Sequence, residues 1–126
     1  MKLKFSEIQI FVTDQQKALD FYGNCLGLPL KEKGSTKGTS FLIFDLGCTE
    51  LVVMSGAVRK KNTDAYKKEC STVLCFETDN MEKTFFTLKL RGVIFLTEVQ
   101  LVEQGKWIAF QDPDGNLFEL IEPPKK

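Results

Sequence analysis

An α+β domain built from one strand–helix–three-strand module used twice is what this sequence predicts, on three observations. A strand-like alternation at residues 5–13, FSEIQIFVT, runs into a helix cap at Asp14. The same succession returns at residues 71–78, STVLCFET, followed by Asn80. The chain then closes on an apolar run, a DPDGN turn and a second apolar run. Setting Asp14 against Asn80 places Lys17 on Lys83, Leu19 on Phe85 and Tyr22 on Leu88, with Gly27 meeting Gly92 after a gap of one residue. An internal repeat of this kind decides the architecture before any single element does. The same register sets Glu7 opposite Val73, Gln9 opposite Cys75 and Val52 opposite Glu119.

Each element has a local reason. In the first strand Ile8, Ile10 and Val12 share one face while Glu7, Gln9 and Phe11 share the other, the period of two expected of a half-buried strand. Asp14 can accept from the unpaired N–H groups of a first helical turn. Ala18, Leu19, Tyr22 and Leu26 then recur at helical spacing until Gly27, which tolerates the left-handed conformation of a helix end. A short strand is expected over 28–33, a turn over 34–38, and a hairpin of strands 40–46 and 50–54 around Gly47. After a polar, basic stretch the second module follows: strand 71–78, a helix from Asn80 to Gly92, strand 93–101, and the closing hairpin. Proline presets the second position of that hairpin's turn and glycine accepts the positive dihedral after it. Asp112 and Asp114 read as turn formers. The whole is one domain, 1–126, with module 1 over about 1–56, a linker over about 57–70 and module 2 over about 71–126.

Composition narrows the function classes. Seventeen basic and seventeen acidic side chains cancel, which gives no global attraction to nucleic acid or to an anionic membrane. No apolar run approaches the roughly 18 residues that span a bilayer, and the N-terminus lacks a signal-peptide core. A cytoplasmic protein is expected. The four cysteines, Cys25, Cys48, Cys70 and Cys75, show no metal-type spacing and are expected to be reduced and mostly buried. There is no histidine, so the usual neutral-pH base and the commonest metal ligand are both missing.

Two strings carry a family resemblance. FVTDQQKALDFYGNCLGLPL resembles the strand and helix that open each member of the vicinal oxygen chelate superfamily, which includes glyoxalase I, extradiol dioxygenases, and the fosfomycin and bleomycin resistance proteins. AFQDPDGNLFELIEP resembles its closing hairpin. The resemblance covers essentially the whole chain. It implies a glyoxalase-like fold, two βαβββ modules forming a curled mixed sheet around a central pocket, completed or doubled by a homodimer. In metal-dependent members four ligands come from the first and last strands of the two modules. Carried over, these positions are Glu7, Val52, Val73 and Glu119; a shift of one puts Val53 in place of Val52. Two of the four are hydrocarbon, so no cofactor is expected, and any divalent metal would rest on Glu7 and Glu119 alone.

The resemblance and the residues together point to a small-molecule binding protein that lacks the usual catalytic metal site. In the closing strand Leu117, Glu119 and Ile121 share one face while Phe118 and Leu120 share the other, so alternation carries Glu119 into an apolar neighbourhood, where a carboxylate needs a partner, a proton or a metal. Glu7 and Glu119, lined by Phe11, Phe41, Trp107 and Phe110, would suit an aromatic or cationic ligand. Gln9 shares the face of Glu7 and could orient such a ligand through its amide. Val52 and Val73 complete the lining. Cys75, one alternation step from Val73, is a conceivable nucleophile, but with no histidine to activate it an inert thiol is the stronger expectation, and no catalytic residue is assigned. The alternative is a metal-dependent enzyme of glyoxalase or dioxygenase type with a carboxylate-only site, its metal acting as a Lewis acid.

Overall fold

In the computed structural model, residues 1–36, 38–56, 73–103 and 105–125 are described. The linker expected over 57–70, with Cys70, lies outside them. The chain divides into two compact units, Met1–Glu69 and Cys70–Lys126, each a small α+β module.

The first module runs β1 (Glu7–Phe11), α1 (Gln15–Ala18) continued by a wider helical segment Leu19–Cys25, β2 (Leu30–Thr36), β3 (Thr39–Asp45) and β4 (Glu50–Gly56). The sheet order is β1-β4-β3-β2, with β1 parallel to β4 and the other pairs antiparallel. Asp14 is the cap the sequence indicates: Lys17 N donates to its Oδ1 at 3.1 Å. Beyond Ala18 the helix widens, and Leu26 N donates to the carbonyl five residues back, Phe21 O, at 2.9 Å. The adjacent residues Phe21 and Tyr22 are both buried and meet edge to face, 4.9 Å between centroids. Expected core residues Leu19 and Leu26 are only half-buried. The helix covers the sheet face that carries Ile10, Val12, Leu42, Phe44, Leu51 and Val53, with Tyr22 and Phe44 at 5.9 Å. Burying each such side chain contributes about 1.5–3 kcal/mol.

The turn expected over 34–38 is shorter than that. β2 continues through Gly34, which pairs with Phe41. A Cβ on Gly34 would stand 2.6 Å from Phe41 Cζ, so the ring lies where the missing side chain would be. Glycine here makes room for an aromatic across the ladder.

The second module runs β5 (Leu74–Glu77), α2 (Met81–Leu90), β6 (Ile94–Phe95), β7 (Gln100–Val102), β8 (Gly105–Gln111) and β9 (Leu117–Glu122). Its sheet repeats the order of the first, β5-β9-β8-β6, with β5 parallel to β9 and β7 also on β8. The single strand expected over 93–101 is two short ones. The break has a cause: Ala109 N donates to the Thr97 hydroxyl at 3.1 Å, a side chain taking the place of a main-chain rung. Asn80 caps α2 by accepting from Lys83 N at 3.0 Å, and Glu122 Oε1 accepts from Met81 N at 2.8 Å. Met81, Leu88, Ile108, Phe110, Phe118 and Leu120 are buried, and Phe110 stacks on Phe118 at 5.3 Å.

The closing turn is organised by Asp112, which is 1% exposed. Its carboxylate accepts from Asp114 N, Asn116 N and Asn116 Nδ2 at 2.9, 2.8 and 2.7 Å. Burial of this charge is compensated by donors from its own loop.

Candidate functional site

Strand pairing gives the two modules one register. Gln9 stands beside Val52 on parallel strands of the first, and Cys75 stands beside Glu119 on parallel strands of the second. Paired residues share a face, so each sheet has one face packed by its helix and one face without it. The helix-free faces hold most of the candidate residues.

On the first module this face carries Glu7, Gln9 and Phe11 from β1, Val52 from β4 and Phe41 from β3. Gln9 Nε2 donates to Glu7 Oε2 at 2.9 Å, so the amide and the carboxylate are joined. Phe11, Met54 and Phe41 form one cross-strand row, and Val52 is 7% exposed. Glu7 also begins a row with Glu50 and Asp45. Those two carboxylates have partners: Glu50 pairs with Lys31, and Asp45 Oδ1 accepts from Gly47 N at 2.7 Å. The hydrogen bond to Glu50 and its charge hold the Lys31 ammonium above its ordinary pKa.

On the second module the helix-free face carries Cys75, Glu119, Ala109, Trp107 and Ile121, with half-buried Val73 just before β5. Cys75 Sγ donates to Glu119 Oε1 at 3.7 Å. Partial desolvation, then the Glu119 charge and this hydrogen bond, push the thiol pKa up. A raised pKa disfavours the nucleophilic thiolate. Trp107 and Glu119 line one open cleft of about 290 Å³ with Val102, Lys106 and Ile121. Alternation from Glu119 indicated Ile121. Val102 and Lys106 carried no such signal, because the strand before the hairpin was expected to end at 101.

Phe110 does not join this group. It pairs with Phe118 on the opposite face, is 1% exposed, and packs between Phe118 and Phe95. The three-residue step from Trp107 reverses the face, and the helix covers it. The expected burial of the cysteines is also corrected: Cys48 and Cys75 are exposed and Cys25 is half-buried. Cys48 lies in the β3–β4 turn and Cys75 on a sheet face that no helix of its own module covers.

The four positions that would hold a metal fit one poorly. Val52 and Val73 offer no donor atom, Glu7 accepts from Gln9, and Glu119 accepts from Cys75. Among the described residues no three His, Cys, Asp or Glu side chains are grouped to hold a metal ion.

Comparison with known proteins matches this geometry to a family. The model of the Glyoxalase/Bleomycin resistance protein/Dioxygenase superfamily matches residues 4–120, and the chain belongs to that superfamily. The uncharacterized protein YetH of Bacillus subtilis (strain 168) is 30% identical over 118 residues, covering 91% of this chain and 94% of YetH. The crystal structure of UcmS2 superposes with a TM-score of 0.80 at 25% identity, over 96% of this chain and 98% of that one. TnmS3, an antibiotic binding protein from Streptomyces sp. CB03234, superposes with a TM-score of 0.75 at 24% identity, over 98% and 99% of the two chains. Among the described residues no helix is long and apolar enough to cross a membrane.

Proposed function

We propose that this protein binds a small aromatic cation, with Glu119 as the counter-charge and Trp107 as the aromatic wall. The observation that carries the reading is that these two side chains line one cleft. An ammonium or guanidinium group held between a carboxylate and an indole gains a charge-assisted hydrogen bond and a ring-face attraction, about 1.5–3 and 0.5–2 kcal/mol. Membership of a superfamily that includes resistance proteins supports a small-molecule partner, and TnmS3 shows that this fold can serve antibiotic binding. Val73 and Cys75, on the same helix-free face, are proposed as further contacts, and Glu7, Gln9, Phe11, Phe41 and Val52 as the contact residues of the first module's own helix-free face, in a cytoplasmic homodimer.

Trp107 is the chain's single tryptophan, so its fluorescence reports on this cleft alone. Titration with phenylguanidine is expected to change the emission at concentrations where neutral phenylurea does not. Glu119→Gln is expected to weaken phenylguanidine about tenfold or more and to erase the preference. A response equal for both compounds, or a preference that survives the substitution, rejects the reading. Variants Glu7→Gln and Gln9→Ala then show whether the first module contributes.

A further inference from the structure

A second cleft, of about 440 Å³, opens between α2 and the connection from β6 to β7. It lies on the helix side of the second sheet, the side on which Phe95 pairs with Phe110, and so on the face opposite to Trp107 and Glu119. The repeated module shows why it exists. In the first module β2 runs as one strand from Leu30 to Thr36 along β3. Its counterpart in the second is split into β6 and β7, because the Thr97 hydroxyl takes the place of a main-chain rung by accepting from Ala109 N, and residues 96–99 belong to neither strand. This connection forms one wall of the cleft and α2 the other.

The cleft is apolar between its walls. Val93 is 6% exposed, the Phe85 and Phe95 rings meet at 4.7 Å with a tilt of 59°, and Val99 lies beside them. Two charges of opposite sign share the lining. The Lys89 ammonium, on α2, lies 5.5 Å from the Phe85 ring centroid, and Glu98 stands on the connection. Among the described residues the ion pairs are Lys31–Glu50 and Lys106–Glu122, so Lys89 and Glu98 pair neither with one another nor with a described neighbour. Opposite charges on opposite walls of an apolar cleft, neither neutralised by the other, are the complement of a ligand that carries both charges on an apolar body.

We infer that this cleft binds a small zwitterion with a large apolar group, the chemistry of an apolar α-amino acid. The Lys89 ammonium takes the ligand's carboxylate, the Glu98 carboxylate takes its ammonium, and the apolar group lies on Phe85, Phe95 and Val93. An amine leaves Lys89 unanswered and a carboxylic acid leaves Glu98 unanswered, so the pair discriminates against both. The site is separate from the Trp107 and Glu119 cleft and does not depend on it. Both charged side chains are exposed, so each contact is expected to change affinity by about three- to fivefold, with a dissociation constant on the order of 1 mM.

Titration of the nitrogen-15-labelled full chain with L-leucine, which has no ring to set against Trp107, should shift the amides of Lys89, Glu98 and Val99 along one saturating curve and leave the Trp107 indole N–H in place. Isoamylamine, which lacks the carboxylate, and 4-methylpentanoate, which lacks the amine, should bind about three- to fivefold more weakly. Each variant should erase one difference: Lys89→Met that between leucine and isoamylamine, Glu98→Gln that between leucine and 4-methylpentanoate. Neither side chain is buried, so both variants should keep the parent Tm. Amides of the cleft that do not respond to about 20 mM leucine, leucine shifts centred on Trp107, or discrimination that survives both substitutions overturns the inference. Phenylguanidine is read at Trp107 and leucine at Glu98, so failure at one cleft is distinguished from failure at the other.

Discussion

Cys75 and Glu119 are neighbours on parallel strands, the thiol donating to the carboxylate at 3.7 Å. Desolvation and that carboxylate raise the thiol pKa, so the folded chain holds the Cys75 proton more tightly than an unfolded one. The sign follows. Stability from this group is present below the ordinary thiol range and is lost as pH climbs through the raised value. At fixed pH near 8, iodoacetamide should alkylate Cys75 more slowly than Cys48, although both are exposed. Glu119→Gln removes the charge and should speed Cys75 alone. Peptide mapping by mass spectrometry separates the cysteines, and an unchanged Cys75 rate in the variant contradicts the assignment.

Asp112 holds the closing turn through the donors of Asp114 and Asn116. Asp112→Ala strands the half-buried donors of Asp114 and Asn116 that this carboxylate satisfies, and should cost about 2–4 kcal/mol in urea unfolding. Asp112→Asn retains one acceptor oxygen and should cost less. If the alanine variant is no less stable than the asparagine one, the carboxylate is not what keeps the turn closed.

Gly105 begins β8 with φ of 115°, and a Cβ there would run into the carbonyl oxygen of Glu122. The obstacle is backbone of the paired strand, which cannot rotate away as a side chain can. Gly105→Ala should therefore destabilise by about 2–4 kcal/mol and disturb the strand that carries Trp107. Gly115 has φ of 83° but nothing within 4 Å of the added atom. Gly115→Ala should cost only the left-handed penalty of about 1–2 kcal/mol. Equal losses at the two positions would show that conformation alone, and not close approach, is felt.

What could be read from the sequence was what depends on neighbours along the chain. Asp14 and Asn80 cap their helices with the bonds their positions imply, and the repeat register that aligns Gln9 with Cys75 and Val52 with Glu119 agrees with the pairing of Gln9 with Val52 in one sheet and of Cys75 with Glu119 in the other. Alternation placed Glu119 with Ile121 and against Phe118. What escaped depends on partners far along the chain. Trp107 and Phe110, three residues apart on one strand, fall on opposite faces by alternation alone, but which of those faces the helix covers is set by the fold, and β6 ends where Thr97 meets Ala109, twelve residues away. Gly34 looked like a turn glycine because its reason, the Phe41 ring, lies across the ladder. The exposure of Cys75 follows from which sheet face the helix covers, a fact no hydrophobic pattern states for a lone thiol.

Glu122 shows the same distance effect and yields the last test. It sits at the end of β9, yet its Oε1 accepts from Met81 N at 2.8 Å, forty-one residues away, while Oε2 lies 3.8 Å from Lys106 Nζ. The two contacts differ in worth. A carboxylate at a helix N-terminus satisfies an otherwise unpaired N–H and meets the positive end of the helix dipole, together about 1–2 kcal/mol. The lysine pair is long and its ammonium side half-exposed, so it contributes about 0–1 kcal/mol. Glu122→Gln keeps an acceptor for Met81 N and should lose less than Glu122→Ala, whereas Lys106→Met should be near neutral. Amide hydrogen exchange locates the effect: Glu122→Ala should speed exchange at Met81 and in the first turn of α2. If Lys106→Met destabilises as much as Glu122→Ala, the ion pair and not the cap is what joins β9 to the start of the helix.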